Sequence, residues 1–282
     1  MIKKRWWILG VAVAVPLGVV GHWGPPLSPG EADAAHDHVE RRSYQIPESG
    51  LKVSYLRKGE RSGRRVIFVH GTPGDALEWE GYLATVPHGV EMLAVDRLGF
   101  GASEPDKAVT SLAEQAAALK PLLINQGGGW PILVGHSLGG PVVGQLAADN
   151  PGKVGGLLIL AGSFDPGQEH IYAIQYAGEW SALRSILPNS LRNANRELIA
   201  LKGELETLAP RLAGIRCHVA VIHGTSDSQV SYANVAFLRS HLTNARLTVE
   251  TIPGQNHFLP QNEAARIGRT LTDLLREVPK PC

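Results

Sequence analysis

Gly135-His136-Ser137-Leu138-Gly139 is the stretch of this sequence best suited to covalent chemistry. It fits G-x-S-x-G, follows the apolar run Ile132 to Gly135, and leads into Leu138 to Ala148, whose pattern predicts a helix ending before Asn150-Pro151-Gly152. A serine on a tight strand-to-helix turn projects its hydroxyl clear of the backbone, and flanking glycines remove side chains that would collide there. The helix behind it aims free amide hydrogens and the positive end of its dipole at the same point. A phosphate-binding loop is the competing reading of so many glycines, but the Lys-Ser/Thr of that motif is missing.

A serine hydroxyl is a weak nucleophile at neutral pH and needs a base beside it. Histidine, with an ordinary pKa of about 6.5, can take and return a proton there. His257 lies beyond the last expected strand, in a loop that opens with Pro253-Gly254. A carboxylate must keep its other ring nitrogen protonated and pointed away, and it also stabilises the imidazolium that forms. Asp227, at the end of a strand, and Asp165, after the preceding one, are the two candidates.

The elements that must carry these residues alternate. Ser43 to Ile46 and Leu51 to Arg57 read as a hairpin turning at Pro47 to Gly50. Arg65 to Val69, Glu91 to Val95, Ile132 to Gly135, Val154 to Leu160 and His218 to Ile222 are apolar runs of buried-strand type, and Arg246 to Thr251 alternates less cleanly. Helical spacing marks Leu112 to Ile124 and Glu263 to Val278. Strands alternating with helices after a hairpin predict an α/β fold, a mostly parallel eight-stranded sheet with helices on both faces. The apolar interval from about 165 to 214 is too long for a loop and reads as a small helical cap at the sheet's carboxyl edge.

Five segments in this order resemble the α/β-hydrolase superfamily over nearly everything from Ser43 onward. His70-Gly71-Thr72-Pro73-Gly74 is similar to its oxyanion loop, and Asp96 to Ser103 to its D-x-x-G-x-G-x-S turn. Gly135 to Gly139 resembles its nucleophile elbow. His223 to Asp227 resembles the segment that presents the acid, and Gly254 to Phe258 the one that presents the histidine. The resemblance implies Ser137, Asp227 and His257 as the triad, in the family's chain order, which favours Asp227 over Asp165. It also implies an oxyanion hole from the backbone amides of Thr72 and Leu138; Pro73 has no amide hydrogen to give. Asp96 is then a turn-organising carboxylate, His70 is structural, and His136 packs under the elbow. Glu169, Glu179, Glu197, Glu204 and Glu206 are most simply solvated faces of cap helices. Trp79, Phe100, Phe164, Tyr172, Tyr176, Trp180 and Phe258 are either pocket lining or core.

No metal or organic cofactor is required by such a site. A serine at the elbow argues against relatives that use aspartate there, the epoxide hydrolases and haloalkane dehalogenases. The expected activity is hydrolysis of a small-molecule, ester-like acyl substrate through an acyl-enzyme, in a carboxylesterase or lipase-like enzyme. Lactone, amide or carbon–carbon bond hydrolysis, acyl transfer, and ligand binding without turnover are the alternatives on the same scaffold.

Composition supports one large domain. Of 282 residues 44% are hydrophobic, enough for a sizeable core, and 27 Lys and Arg against 26 Asp and Glu leave no broad positive field for nucleic acid. Lys58, Arg61, Arg64 and Arg65 read as a solvated turn beside a strand. Cys217 and Cys282 are too few for a disulfide framework, and Cys217 in its apolar run reads as a small buried hydrophobe. Residues 1–23 place Lys3, Lys4 and Arg5 before an uncharged apolar run from Trp6 to Val20, the layout of an export signal or an inner-membrane anchor. Residues 24–42 read as a flexible tether and 43–282 as the domain, which is expected outside the cytoplasm.

Overall fold

The structure, a computed structural model, describes residues 38–170, 175–176, 187–277 and 281–282. The export-type segment, most of the tether, and Tyr172, Glu179 and Trp180 of the cap interval lie outside the described residues.

Eight strands form one sheet: β1 (Glu40–Gln45), β2 (Lys52–Gly59), β3 (Arg64–Val69), β4 (Val90–Val95), β5 (Ile132–His136), β6 (Gly156–Leu160), β7 (His218–Gly224) and β8 (Arg246–Ile252). Their spatial order is β1-β2-β4-β3-β5-β6-β7-β8. β1 and β2 pair antiparallel, as do β2 and β4, and every other neighbouring pair runs parallel. Their carboxyl ends therefore share one edge from β3 to β8, where α/β sheets place ligands.

The described helices are α1 (Glu80–Ala84), α2 (Leu112–Leu119), α3 (Gly139–Asp149), α4 (Asn189–Leu208), α5 (Ala233–His241), α6 (Leu259–Asn262) and α7 (Ala264–Arg276). They cover both faces, and the strand period of two divides the core between them. Ile67, Val69, Leu133, Leu157 and Val219 pack with α2, α3, α4 and α5. Val66, Phe68, Val134, Leu158 and Ile222 pack instead with Trp79, Tyr82, Leu83 and the α7 stripe Ile267, Leu271 and Leu274. Each fully buried aliphatic side chain contributes roughly 1.5–3 kcal/mol, so these two layers are the main stabilising force. Among the described residues, no helix is long and apolar enough to cross a membrane.

Three sequence expectations are corrected. β1 begins at Glu40, so residues 40–42 belong to the sheet and not to a tether. They pair with Arg57, Leu56 and Tyr55 of β2, and Arg41 reaches Asp96 at 2.5 Å. Lys58 and Arg64 are buried and Arg65 nearly so, leaving Arg61 as the solvated member of that cluster. Arg64 donates to the carbonyl oxygens of Trp130 and Leu275, the latter at the end of α7, where free carbonyls attract a cation. Finally, Cys217 is no free hydrophobe: it forms a disulfide with Cys282 across 65 positions. The tail is brought there by backbone pairing, the Cys282 amide donating to Val154 O at 2.8 Å just ahead of β6.

Candidate active site

β5 delivers Ser137 to the carboxyl edge. The residue sits at φ 53°, in the left-handed region, which costs a non-glycine residue roughly 1–2 kcal/mol. Its amide donates to Leu160 O of β6 at 3.0 Å and its carbonyl accepts from Gly140 N at 2.9 Å, so the turn is clamped on both sides. The glycines of the motif are a matter of space. A Cβ on Gly135 would run into the Gly139 carbonyl, and one on Gly139 into the Val69 carbonyl. The turn is this sharp only because strand and helix backbones touch.

β7 and β8 bring Asp227 and His257 together. His257 Nδ1 lies 2.7 Å from Asp227 Oδ2, and both side chains are buried. A carboxylate can only accept, so Nδ1 carries a proton, which leaves Nε2 as the ring nitrogen that could exchange one. Asp227 Oδ1 accepts from the amides of Gln229 and Val230 at 2.9 and 2.8 Å. Burial pushes this carboxyl up, but the His257 hydrogen bond and charge and those two amides outweigh it, leaving its pKa below the usual carboxylate value. His223 also lies 3.6 Å from Asp227, yet its Nε2 faces Val230 O, and burial pushes its pKa down. It stays neutral and does not compete for the carboxylate.

Asp165, the rival acid, is occupied elsewhere. Its Oδ1 accepts from Gly167 N and it caps the short turn Pro166–Gln168, whereas Asp227 is the carboxylate on the His257 ring. Asp96 accepts from the amides of Ala76 and Ala102 and from Arg41, the turn-organising role expected of it.

The loop after β3 crowds Ser137: a Cβ on Gly71 would lie 2.8 Å from Ser137 Cβ. Among the described residues, neither Thr72 N nor Leu138 N donates to a protein acceptor, which leaves both amides available for a ligand oxygen. Between Ser137 Oγ and the His257 ring the described residues show no hydrogen bond. Such bonds tighten when substrate binds.

A buried ion pair that the sequence did not announce supports this loop. Glu197 of α4 is 3% exposed, which corrects its reading as a solvated residue. It accepts from Arg97 at 2.6 and 3.1 Å, from Thr72 Oγ1 at 2.6 Å and from Gln115 at 3.3 Å. Arg97 in turn donates to the carbonyls of His70 and Gly71, and its own amide donates to His70 Nε2 at 3.0 Å. His70 must be neutral to accept that bond, and burial followed by the Arg97 charge pushes its pKa well down. A signal did exist. Ala194, Glu197, Leu201, Leu205 and Leu208 form one helical stripe, so the glutamate occupies a core position and needs a partner.

His136 packs under the elbow as expected, 6% exposed, with its ring centroid 4.8 Å from that of His257. Of the aromatic candidates, Trp79, Phe100 and Phe164 are core residues, while Tyr176 and Phe258 are exposed.

Comparison with known proteins agrees with this fold. Residues 66–269 match the Alpha/beta hydrolase family. The chain is 35% identical over 137 residues to the dihydrolipoyllysine-residue acetyltransferase component of the acetoin cleaving system of Cupriavidus necator, which covers 48% of this chain and 35% of that protein. It is 36% identical over 110 residues to lipase LipV of Mycobacterium tuberculosis, which covers 39% of this chain and 41% of the lipase. The chain thus spans well under half the length of these relatives. The solved structure of the epoxide hydrolase CorEH superposes with a TM-score of 0.69 at 16% identity, covering 84% of this chain and 98% of that one. The match over residues 66–269, together with the sheet order, shows that this chain belongs to the α/β hydrolase family.

Proposed function

We propose that this protein is a serine hydrolase of carboxylic esters, with Ser137 as nucleophile, His257 as general base and Asp227 as the acid that orients it. The observation that carries the reading is the 2.7 Å Asp227–His257 contact beside a serine held at φ 53° on a strand-to-helix turn. In the reaction, His257 Nε2 takes the Ser137 proton as Oγ attacks the carbonyl carbon. The amides of Leu138 and Thr72 receive the negative charge that develops on oxygen. The imidazolium then protonates the leaving alcohol, and water activated by the same ring releases the acid.

A serine at the elbow argues against aspartate-dependent epoxide hydrolysis, although an epoxide hydrolase shares the fold. The lipase among the relatives supports ester substrates. Leu77 and Phe258, exposed to 55% and 47% beside Glu78 and His257, suit an apolar acyl chain. An exported location is part of the proposal: the basic-then-apolar pattern of residues 1–23 and the Cys217–Cys282 disulfide both fit an oxidising compartment.

A fluorophosphonate probe should label intact protein at Ser137 and leave Ser137→Ala unlabelled; unlabelled wild-type protein with an intact fold would falsify the nucleophile assignment. Asp227→Asn should lower turnover about ten-thousandfold while Asp165→Asn changes it little. A nitrophenyl ester series of rising acyl length reads the substrate class. Turnover of none of them moves amide, lactone or carbon–carbon substrates ahead of esters.

A further inference from the structure

Glu78 and His136 form a second acid–histidine couple, beside the one that serves as base, and the hydrolase mechanism above does not use it. Glu78 Oε1 approaches His136 Nδ1 to 2.5 Å, off the line of an ideal ring hydrogen bond, and the two side chains are 13% and 8% exposed. On the other side of the ring, Nε2 lies 3.1 Å from the main-chain carbonyl of His257. A carbonyl only accepts, so Nε2 carries a proton. Two lone pairs cannot face each other at 2.5 Å, so either Nδ1 or the carboxylate carries a second proton. The couple is neutral as a whole wherever that proton sits, which makes its burial tolerable.

The location gives the contact its meaning. His136 is joined covalently to Ser137, and its ring is hydrogen-bonded to the backbone of His257. This is a direct link between nucleophile and base, with no other element in between. The His257 carbonyl also accepts from Leu259 N at 2.8 Å, which closes the loop on itself but ties it to nothing on β5. His136 supplies that tie, and Glu78 holds the ring in the orientation that keeps Nε2–H on the carbonyl.

We propose that Glu78 and His136 are positioning residues that set the distance between Ser137 and His257, Glu78 by fixing the His136 ring and His136 by anchoring the His257 main chain. The inference rests on the triad assignment made above. It differs from simple core packing because it depends on Nε2 keeping its proton toward the His257 carbonyl and not on the volume of the ring.

Glu78→Ala and His136→Phe keep or open space without supplying the link. Each should lower kcat for a nitrophenyl ester about tenfold to a hundredfold with KM little changed, and slow fluorophosphonate labelling in parallel, as a small misplacement of a reacting pair does. Glu78→Gln should restore most of the turnover lost in Glu78→Ala, because its amide N–H can donate to Nδ1 and keep the proton on Nε2. Glu80→Ala, an exposed neighbour on α1, is the control. Unchanged kcat in folded Glu78→Ala, or a raised KM with kcat intact, would overturn the proposal. So would Gln and Ala variants equally impaired at matched thermal stability.

A readout independent of activity separates this proposal from the ester-hydrolase reading. In protein carrying 15N-labelled histidine, the low-field Nδ1 proton of His257 should shift or broaden in Glu78→Ala and return in Glu78→Gln. If wild-type protein neither turns over esters nor labels, the ester-hydrolase reading fails on its own, and the spectra still decide the coupling. An unmoved His257 resonance in Glu78→Ala overturns it. Should Glu78→Ala not fold, the comparison of His136→Phe with wild type carries the same two readouts.

Discussion

Two buried glutamates, one at each end of the sheet, make the same kind of contact and do different work. Glu91, the second residue of β4, lies at the lower edge, 3% exposed, and accepts from Arg57 at 2.8 Å, Arg65 at 2.6 Å and Gln126 at 3.0 Å. Glu197 lies at the upper edge, equally buried, and accepts from Arg97, Thr72 and Gln115. The chemistry is the same: a carboxylate taken out of water and satisfied by guanidinium and neutral donors. The partners differ. Glu91 joins β2, β3 and the turn near Gln126, all of them scaffold. Glu197 joins the helix α4 to Thr72, whose amide is the proposed oxyanion donor. A satisfied buried charge is therefore no sign of function; what its partners touch decides that.

Paired substitutions should break the symmetry. Glu197→Ala strands the Arg97 guanidinium in the core, and removing one partner of a fully buried pair costs about 3–5 kcal/mol. Turnover of the fraction that stays folded should also drop, because Thr72 loses its tether. Glu91→Ala should destabilise as well, though less, since Arg57 and Arg65 keep 11% and 14% exposure and can reach water. Its kcat should match wild type. Urea unfolding alongside steady-state kinetics on both variants decides the matter, and an equal fall of kcat in the two would erase the distinction drawn here.

The lower edge carries a second device of pure stability. The Cys217–Cys282 disulfide closes a loop of 65 positions, worth up to about 4 kcal/mol in the chain-entropy account. It ties the tail to the starts of β6 and β7, the ends opposite the candidate site. Reduction, or Cys282→Ser, should lower the unfolding midpoint substantially while the folded fraction turns over as before. A change in KM on reduction would mean that the lower edge reaches the site after all.

How much of this was legible follows from range. Strand runs such as Ile132 to Gly135, and the G-x-S-x-G turn after them, rest on neighbours in the chain, so their pattern showed. The observed β5 and α3 begin and end within a residue of that reading. The hairpin is legible too, but β1 starts earlier than its pattern suggests: residues 40–42 pair with β2, and Arg41 is anchored by Asp96, 55 positions away. Glu197 and Arg97 are 100 positions apart, and nothing local told a buried carboxylate from a solvated one except its place in an apolar stripe. Arg64 and Arg65 misled for the same reason. Two cysteines make no framework, and the sequence carries no local mark that the segment ahead of β6 holds the tail beside Cys217.

The two edges should also differ in their response to pH, by the smallest effect of those considered. Among the described residues, His70, His136 and His223 have displaced pKa values and sit at the upper edge. Burial depresses His70 and His223, so the folded state resists protonating them. The stability they contribute is complete above the ordinary histidine value of about 6.5 and is lost as pH falls below it. His136 runs the other way: burial pushes it down, but the Glu78 charge and hydrogen bond and the His257 carbonyl outweigh that and raise its pKa. Its contribution is complete below about 6.5 and is lost as pH climbs through the raised value. The thermal midpoint should therefore pass through a maximum near pH 6.5, and Glu78→Gln, which removes the charge opposite His136, should flatten the alkaline side alone. A midpoint that rises steadily from pH 6 to 8 in wild-type protein would show that His136 does not hold its proton against Glu78, and would remove the electrostatic asymmetry between the two edges.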